Sequence, residues 1–566
     1  MQLELSGEMA TGPRPASPVC PPPTPLLARA LGVLVGLLVA TGATAQTQPD
    51  AGRILQELEP EQVQPTEPSV DFEPSADTDR PEGDSNGGAR ITLEAVHFQG
   101  NTVFGEDTLR AALPEDTLEA PRDLAGLREL AARISRFYQE RGYPFARAVL
   151  PAQGLGDREL TIRVVEGRYG DVTATGSDAI ATAVEGYLAP LAPGEVIRSA
   201  PLERAVLLIG DLPGVEASPT LRPGDETGTG NLDVAVAEGQ RLGGSVTVDN
   251  HGNRYSGRNR VRASLHGNSL ATVGDRLQLQ ALYSEEDLWL GSLRYQRPLG
   301  HSGLEGTARL ARTEYDLRDP YTDFTGTTDI AEVGLRYPVI RSQRSNLHAF
   351  FRYAYKDLSN EVEDFEYDAK TIHTVPVGVR FDHRDGLGGG GVTYGRMTLT
   401  AGDTDSDVGG GHTGGFTKVR GQINRLQQLP AGFRLQGQIR GQWADTSIDS
   451  AEGLTLGGAN GVRAYPQGEG TGSRGILGRF ELQHQLGYLD QRLRGLRPYA
   501  FFDAGRTPDL DDESARSIGG GGLGLRFRRD GWQADVAVAW KSWGGDSRSD
   551  HKDRDPRIWA SSSYRF

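Results

Sequence analysis

The 566-residue chain has one cysteine, Cys20, in its first segment. The rest of the chain can form no disulfide, and thiol catalysis and cysteine-based zinc sites are excluded there. Ten histidines are scattered without ligand spacing, so no metal and no cofactor is expected. Aromatics reach only 7% and hydrophobic residues 37%, below what a large soluble core usually shows. Positive charge is not in excess either. Sixty Lys and Arg stand against 76 Asp and Glu, a net charge of −16, which argues against nucleic acid as a partner. After residue 45 no stretch is apolar enough to be a transmembrane helix, so a membrane could hold this protein only through strands. Glycine is what the chain has most of: 75 residues, nearly twice the usual share. Without a Gly-X-Y period this is not collagen, and so much glycine disfavours a mainly helical fold.

Arg29, the apolar residues 30–40 and Ala43-Thr44-Ala45 form a secretory signal peptide over residues 1–45, with cleavage expected after Ala45 and Met9 offering a shorter start. Residues 46–90 carry eleven acidic and three basic side chains and many prolines, the composition of a disordered linker. Within them, residues 51–59 place Ile54, Leu55 and Leu58 on one helical face. A short amphipathic helix on a tether suggests a docking element.

From residue 91 the pattern is strand–helix–helix–strand–strand. Residues 91–98 alternate with period two. Leu124, Leu127, Leu130, Ile134 and Tyr138 then mark an amphipathic helix over 123–141, and strands are expected at 144–151 and 159–166. The unit closes with Val165-Glu166-Gly167. Residues 168–240 repeat it and close with Ala237-Glu238-Gly239. Each unit, 91–167 and 168–240, reads as a three-stranded α+β module covered by two helices.

Residues 241–566 lose helical periodicity, and segments of roughly ten residues alternate strictly. Phe433, Leu435, Ile439 and Trp443 share one face; Arg434, Gln436, Gln438, Arg440 and Gln442 share the other. A dry core could not hold that second face unpaired, whereas a watery lumen can. Aromatics at both ends of the apolar stripes match interfacial girdles. The reading is an all-β transmembrane barrel of about sixteen antiparallel strands, with Arg497, Tyr499 and Asp503 facing the lumen.

Tandem modules followed by a barrel that ends in an aromatic residue resemble the outer-membrane transporters of two-partner secretion. The modules look like polypeptide-transport-associated (POTRA) domains, and the wider superfamily includes the barrel-assembly insertases. The most specific match is Val462, Arg463, Ala464 and Tyr465, between the eleventh and twelfth predicted strands. It is similar to the family's Val-Arg-Gly-Tyr signature on a sixth loop that folds back into the lumen. Ala464 stands where the signature has glycine, so a tip needing positive φ would be strained. The resemblance implies Asp503 as lumen partner of Arg463, with Arg479 and Glu481 in the same network. It also implies that 51–59 plugs the barrel and that Tyr564 and Phe566 belong to a signal for barrel insertion. The expected activity is export of a cognate, large, β-rich exoprotein with an N-terminal secretion domain. Implied partners are that exoprotein, outer-membrane lipid and the barrel assembly machinery during biogenesis. A barrel-assembly insertase is the alternative, and a passive porin a weaker one.

Three motifs fail on context. Gly83-Asp84-Ser85-Asn86-Gly87 matches G-x-S-x-G but lies in the linker rather than on a strand-to-helix elbow, so no enzyme is expected. Asp403, Asp405 and Asp407 open like a calcium loop, yet Val408 and Gly414 occupy the glycine and bidentate-acid positions. A surface loop is expected there instead. The glycine runs at 386–391 and 519–522 lack a lysine or a following helix for phosphate and read as turn or strand glycines.

Overall fold

A computed structural model describes residues 50–58, 63–66, 90–363, 365–408, 413–508 and 515–566. The expected signal peptide and residues 67–89 of the linker lie outside the described residues, as does Glu59 at the end of the expected plug helix. That helix, α1, spans Ala51–Leu58.

The first module runs β1 (Ala95–Gln99), α2 (Glu106–Ala111), α3 (Leu124–Glu140), β2 (Arg147–Val149) and β3 (Glu159–Val165). Its sheet order is β1-β3-β2, with β1 parallel and β2 antiparallel to β3. Asp123 caps α3 by accepting from the Gly126 N–H at 2.9 Å, which satisfies one of the helix's orphan donors. Leu127, Leu130, Ile134 and Tyr138 then fall on the face against the sheet, each at most 3% exposed. Burying each leucine or isoleucine contributes roughly 1.5–3 kcal/mol. Leu124, in the first turn, stays 45% exposed.

Glu166 terminates this unit. Its carboxylate is buried and accepts from the backbone N–H groups of Thr102 (2.6 Å) and Val103 (2.7 Å), from the Thr102 hydroxyl and from the Tyr138 hydroxyl (3.1 Å). Burial alone would push the carboxyl up, but these donors hold it below the ordinary carboxylate value. Gly167 follows with φ +72°, and a side chain there would meet Phe145. The second Glu-Gly pair is not equivalent, because Glu238 is exposed.

The second module runs β4 (Arg168–Gly176), α4 (Asp178–Leu188), α5 (Ser199–Gly210), β5 (Val215–Pro223) and β6 (Thr229–Glu238), in sheet order β4-β6-β5. β2 and β5 are therefore edges. The strand expected at 144–151 shortens to Arg147–Val149, and ahead of it the Gly142 carbonyl accepts from the Ser199 N–H of the second module at 2.9 Å.

Sixteen antiparallel strands then close into a barrel, from the first, Leu242–Asp249, to the sixteenth, Arg557–Arg565, which pair with each other. Strand lengths run from 8 to 21 residues, against the ten or so expected; the sixth to tenth, from Phe324–Arg341 to Gly414–Gln428, are longest and extend past the apolar belt. The outer face carries exposed apolar side chains such as Leu310 (58%) and Leu523 (60%). An apolar surface closing around a whole barrel has no place in water, so it faces lipid. Trp289, Trp443 and Trp540 mark its far end, and Phe433, Trp532 and Tyr564 its module end. Among the described residues no helix is long and apolar enough to cross a membrane. Asp403, Asp405 and Asp407 are not in a loop. They sit on the exposed face of the ninth strand, Gly391–Val408, where it projects beyond the belt.

The second module is bolted to the barrel. Arg341, the last residue of the sixth strand, donates to both Asp211 oxygens, Nε to Oδ2 at 2.6 Å and Nη2 to Oδ1 at 2.7 Å. Arg204 of α5 donates to the Pro338 carbonyl at 2.7 Å.

Candidate functional site

The connection between the eleventh strand (Phe433–Ala444) and the twelfth (Gly475–His484) is thirty residues long and folds into the lumen. Its middle is anchored by one guanidinium. Arg463 donates through Nε and Nη2 to Asp503 Oδ2 and Oδ1, both at 2.7 Å, and through Nη1 to Glu481 Oε1 at 2.6 Å. Its backbone N–H also donates to Asp503 at 3.2 Å, and its carbonyl accepts from the Trp559 indole at 2.7 Å. The guanidinium lies 3.6 Å over the Phe501 ring. Arg463 is 3% exposed and Asp503 is fully buried. Such a fork on a carboxylate specifies orientation as well as charge, which a lysine would not.

Barrel register places these partners. Asp503 of the thirteenth strand (Leu496–Thr507) stands opposite Arg479 of the twelfth, and Arg479 approaches it at 3.6 Å. Glu481, two residues on and on the same face, meets Arg463 and, at 3.6 Å, Arg526. All three carboxylate-network residues expected from the sequence, Asp503, Glu481 and Arg479, thus surround Arg463.

Val462, Ala464 and Tyr465 are buried beside it. Tyr465 donates its hydroxyl toward the Trp543 carbonyl (2.8 Å) and the Gly545 carbonyl (3.0 Å), tying the loop tip to the far rim. Ala464 is not strained as expected, because its φ is not positive. The space a larger wall would deny it comes from the fourteenth strand, Arg516–Arg529: a Cβ on Gly520 would lie 2.3 Å from the Ala464 Cβ. The same strand's Gly522 and Gly524 lie opposite Phe501 and Tyr499, whose rings occupy the room their missing side chains leave. Glycines at every second position on one face were visible in the sequence. Their service to this site was not, because it depends on which strand pairs with which. Glu469 was missed for the same reason. Fully buried, it accepts from Arg516 (Nε, 2.7 Å), from the Arg548 and Ser549 N–H groups (2.9 Å each) and from the Ser549 hydroxyl.

Helix α1 lies inside the barrel against the start of this loop. Ile54, Leu55 and Leu58 are at most 5% exposed and pack among Tyr255, Leu282, Leu290, Ile330 and Ile372. Gln56 donates to the Ala451 carbonyl at 2.7 Å, Ser450 to Asp50 at 2.6 Å, and the Ala51 N–H to Asn360 at 2.9 Å. Gly52 makes the approach possible: a Cβ there would stand 2.3 Å from Ser450 Oγ and 2.5 Å from the Ala451 nitrogen. Glu57, buried in the same helix, accepts from Asn253 at 3.3 Å.

At the opposite end of the barrel, Tyr564 and Phe566 lie exposed on the outer face, and Phe566 exchanges both backbone hydrogen bonds with Gly244 at 3.0 Å. The C-terminal aromatic therefore sits at the seam between the last strand and the first. Among the described residues no group of His, Cys, Asp and Glu could hold a metal ion.

This architecture has relatives. The family model described as haemolysin secretion/activation protein ShlB/FhaC/HecB matches residues 228–527, and a ShlB-type POTRA domain matches 91–167. The chain is 26% identical over 498 residues to the heme/hemopexin transporter protein HuxB of Haemophilus influenzae (strain 86-028NP), covering 84% of this chain and 86% of that protein. It is 24% identical over 473 residues to the outer membrane transporter CdiB of Dickeya dadantii (strain 3937), covering 80% and 83%. Among solved structures, CdiB from Escherichia coli superposes with a TM-score of 0.71 at 19% identity, over 89% of this chain and 94% of that one. CdiB from Acinetobacter baumannii gives 0.62 at 14%, over 95% and 96%. The chain belongs to the haemolysin secretion/activation protein family ShlB/FhaC/HecB, the outer-membrane transporters of two-partner secretion, with its barrel in the outer membrane and its POTRA modules in the periplasm.

Proposed function

We propose that the periplasmic modules capture one cognate, large, β-rich exoprotein while it is unfolded, and that the barrel conducts it outward once α1 has left the lumen. The observation that carries this reading is the occupied lumen. A helix joined to the modules through the linker, packed through one apolar face and hydrogen-bonded to the sixth loop and the barrel wall, fills a polar channel whose other contents are pinned by Arg463. A permanent structural element would not need the tether, and a passive pore would need neither it nor the modules. Capture is by β-augmentation on the edge strands Arg147–Val149 and Val215–Pro223, where backbone pairing tolerates any sequence. The periplasm supplies no ATP, so folding of the client outside biases net motion. Arg463 holds the sixth loop rather than taking part in a bond change. Outer-membrane lipid surrounds the apolar belt, and the barrel assembly machinery inserts the chain through its aromatic C-terminus.

Quantitative proteomics of medium and outer membrane, with and without the gene, tests this. The expected result is loss of one large protein from the medium with the outer-membrane profile unchanged. Broad depletion of other barrels would make the chain an insertase instead.

A further inference from the structure

The charge inside the barrel does not follow that of the chain. Overall the protein is acidic, with a net charge of −16. Beside α1 and the sixth loop lies a cavity of about 340 Å³, walled by the fourth to eleventh strands, into which six guanidiniums point: Arg294, Arg309, Arg352, Arg396, Arg420 and Arg440. Two ammoniums, Lys356 and Lys418, join them and share the single carboxylate of Glu452. Among the described residues Glu332 is the only other carboxylate lining the space, 3.5 Å from Arg309 and 4.0 Å from Arg352. Among them, eight cations thus face two anions. The opposite side of the lumen is filled by the sixth loop, where Arg463 is balanced by Asp503 and Glu481. The space on the cationic side is bounded by Leu55 and Gln56 of α1, so it is this wall that departure of the helix uncovers.

The same wall already holds a stretch of chain. Val63 lines a small cavity together with Arg396 and Arg440. Next to it, on the eighth strand (Phe365–Asp385), Arg380 donates to the Gln64 carbonyl and Arg384 to the Thr66 carbonyl, while the Thr66 N–H donates to Asp382 at 3.0 Å. Three of these four bonds or contacts involve arginine, and all the hydrogen bonds are to backbone, so they ask nothing of the bound side chains. The bound segment belongs to a linker with eleven acidic residues and three basic ones.

We infer that the arginine-lined wall is the transporter's chain-binding surface, taking an extended acidic polypeptide through its carbonyls and carboxylates, with residues 63–66 as a resident stand-in for the client. This rests on the export reading above and names the surface along which export runs. A pore lined by one sign of charge concentrates counter-ions on the order of tenfold or more, so the opened barrel conducts anions in preference to cations.

The test uses the full-length protein carrying Gly52→Leu, which cannot seat α1 against Ser450 and Ala451, in planar bilayers under a KCl gradient. A second form lacking residues 51–66 covers the case in which leucine is accommodated. The expected reversal potential has the sign of chloride selectivity. Poly-L-glutamate added from the module side should block at about tenfold lower concentration than poly-L-lysine. Adding Arg352→Gln, Arg396→Gln and Arg440→Gln should weaken both preferences. A potassium-selective pore, equal block by the two polymers, or selectivity unchanged in the triple variant overturns the inference while leaving export standing. If neither opened form conducts, the lumen is not the pathway, and both readings fall.

Discussion

Replacing Arg463 with alanine removes a guanidinium that makes three side-chain hydrogen bonds to two carboxylates and stacks on Phe501. It leaves Asp503 fully buried, with Arg479 at 3.6 Å as its remaining cation, and Glu481 with Arg526 at 3.6 Å and the Gln483 amide at 2.9 Å. Deleting one partner of a buried pair costs about 3–5 kcal/mol, mostly because the other charge stays behind. The cost falls on docking of the loop rather than on the barrel, whose sixteen-strand ladder does not involve the Arg463 side chain. A docking equilibrium should therefore shift by roughly two to three and a half orders of magnitude. Limited proteolysis from outside the cell reads this directly: residues 445–474 should become cleavable while the barrel remains inserted, and secretion should be lost. Arg463→Lys keeps the charge without the fork and should fall between the two. The double variant Arg463→Ala with Asp503→Ala should cost less than the two single variants together, since it removes the stranded carboxylate. Normal protection of the loop together with normal secretion in Arg463→Ala would refute the anchoring role.

Tyr465→Phe loses the bonds to the Trp543 and Gly545 carbonyls and should loosen the loop tip by about 1–2 kcal/mol, detectable as faster hydrogen exchange near 465. In the first module, the depressed Glu166 carboxyl contributes stability that is complete above the unfolded glutamate value near 4.3 and is lost as pH falls through the lower folded value. Thermal melts should thus be flat from pH 5 to 8 and decline in acid, and Glu166→Gln should lower the plateau and flatten the decline; an unchanged acid slope would discount this cap. Asp211→Asn weakens the two-pronged bond from Arg341 by about 2 kcal/mol and should broaden module-to-barrel distances measured by paired spin labels, with barrel melting unchanged.

Period-two alternation is a local property, so the barrel, its strand number and its lumen face were readable before any contact was known. The same holds for the two modules, because the spacing of Leu127, Leu130, Ile134 and Tyr138 already implies a face to be buried. Arg463 and its partner Asp503 were legible through the family resemblance of their motifs, with the alternation of its strand placing Asp503 on the lumen side. What tertiary structure decided is everything that depends on closure and register. Gly520, Gly522 and Gly524 matter because the fourteenth strand pairs with the thirteenth, which sets them opposite Asp503, Phe501 and Tyr499. Ala464 has room for its side chain because its neighbour Gly520 is glycine. The seat of α1, the bond from Arg341 to Asp211 and the cationic wall join residues from hundreds of positions apart or from eight successive strands. No window of sequence contains such a site, since its charge density exists only once the sheet has rolled up and brought those faces to a common interior.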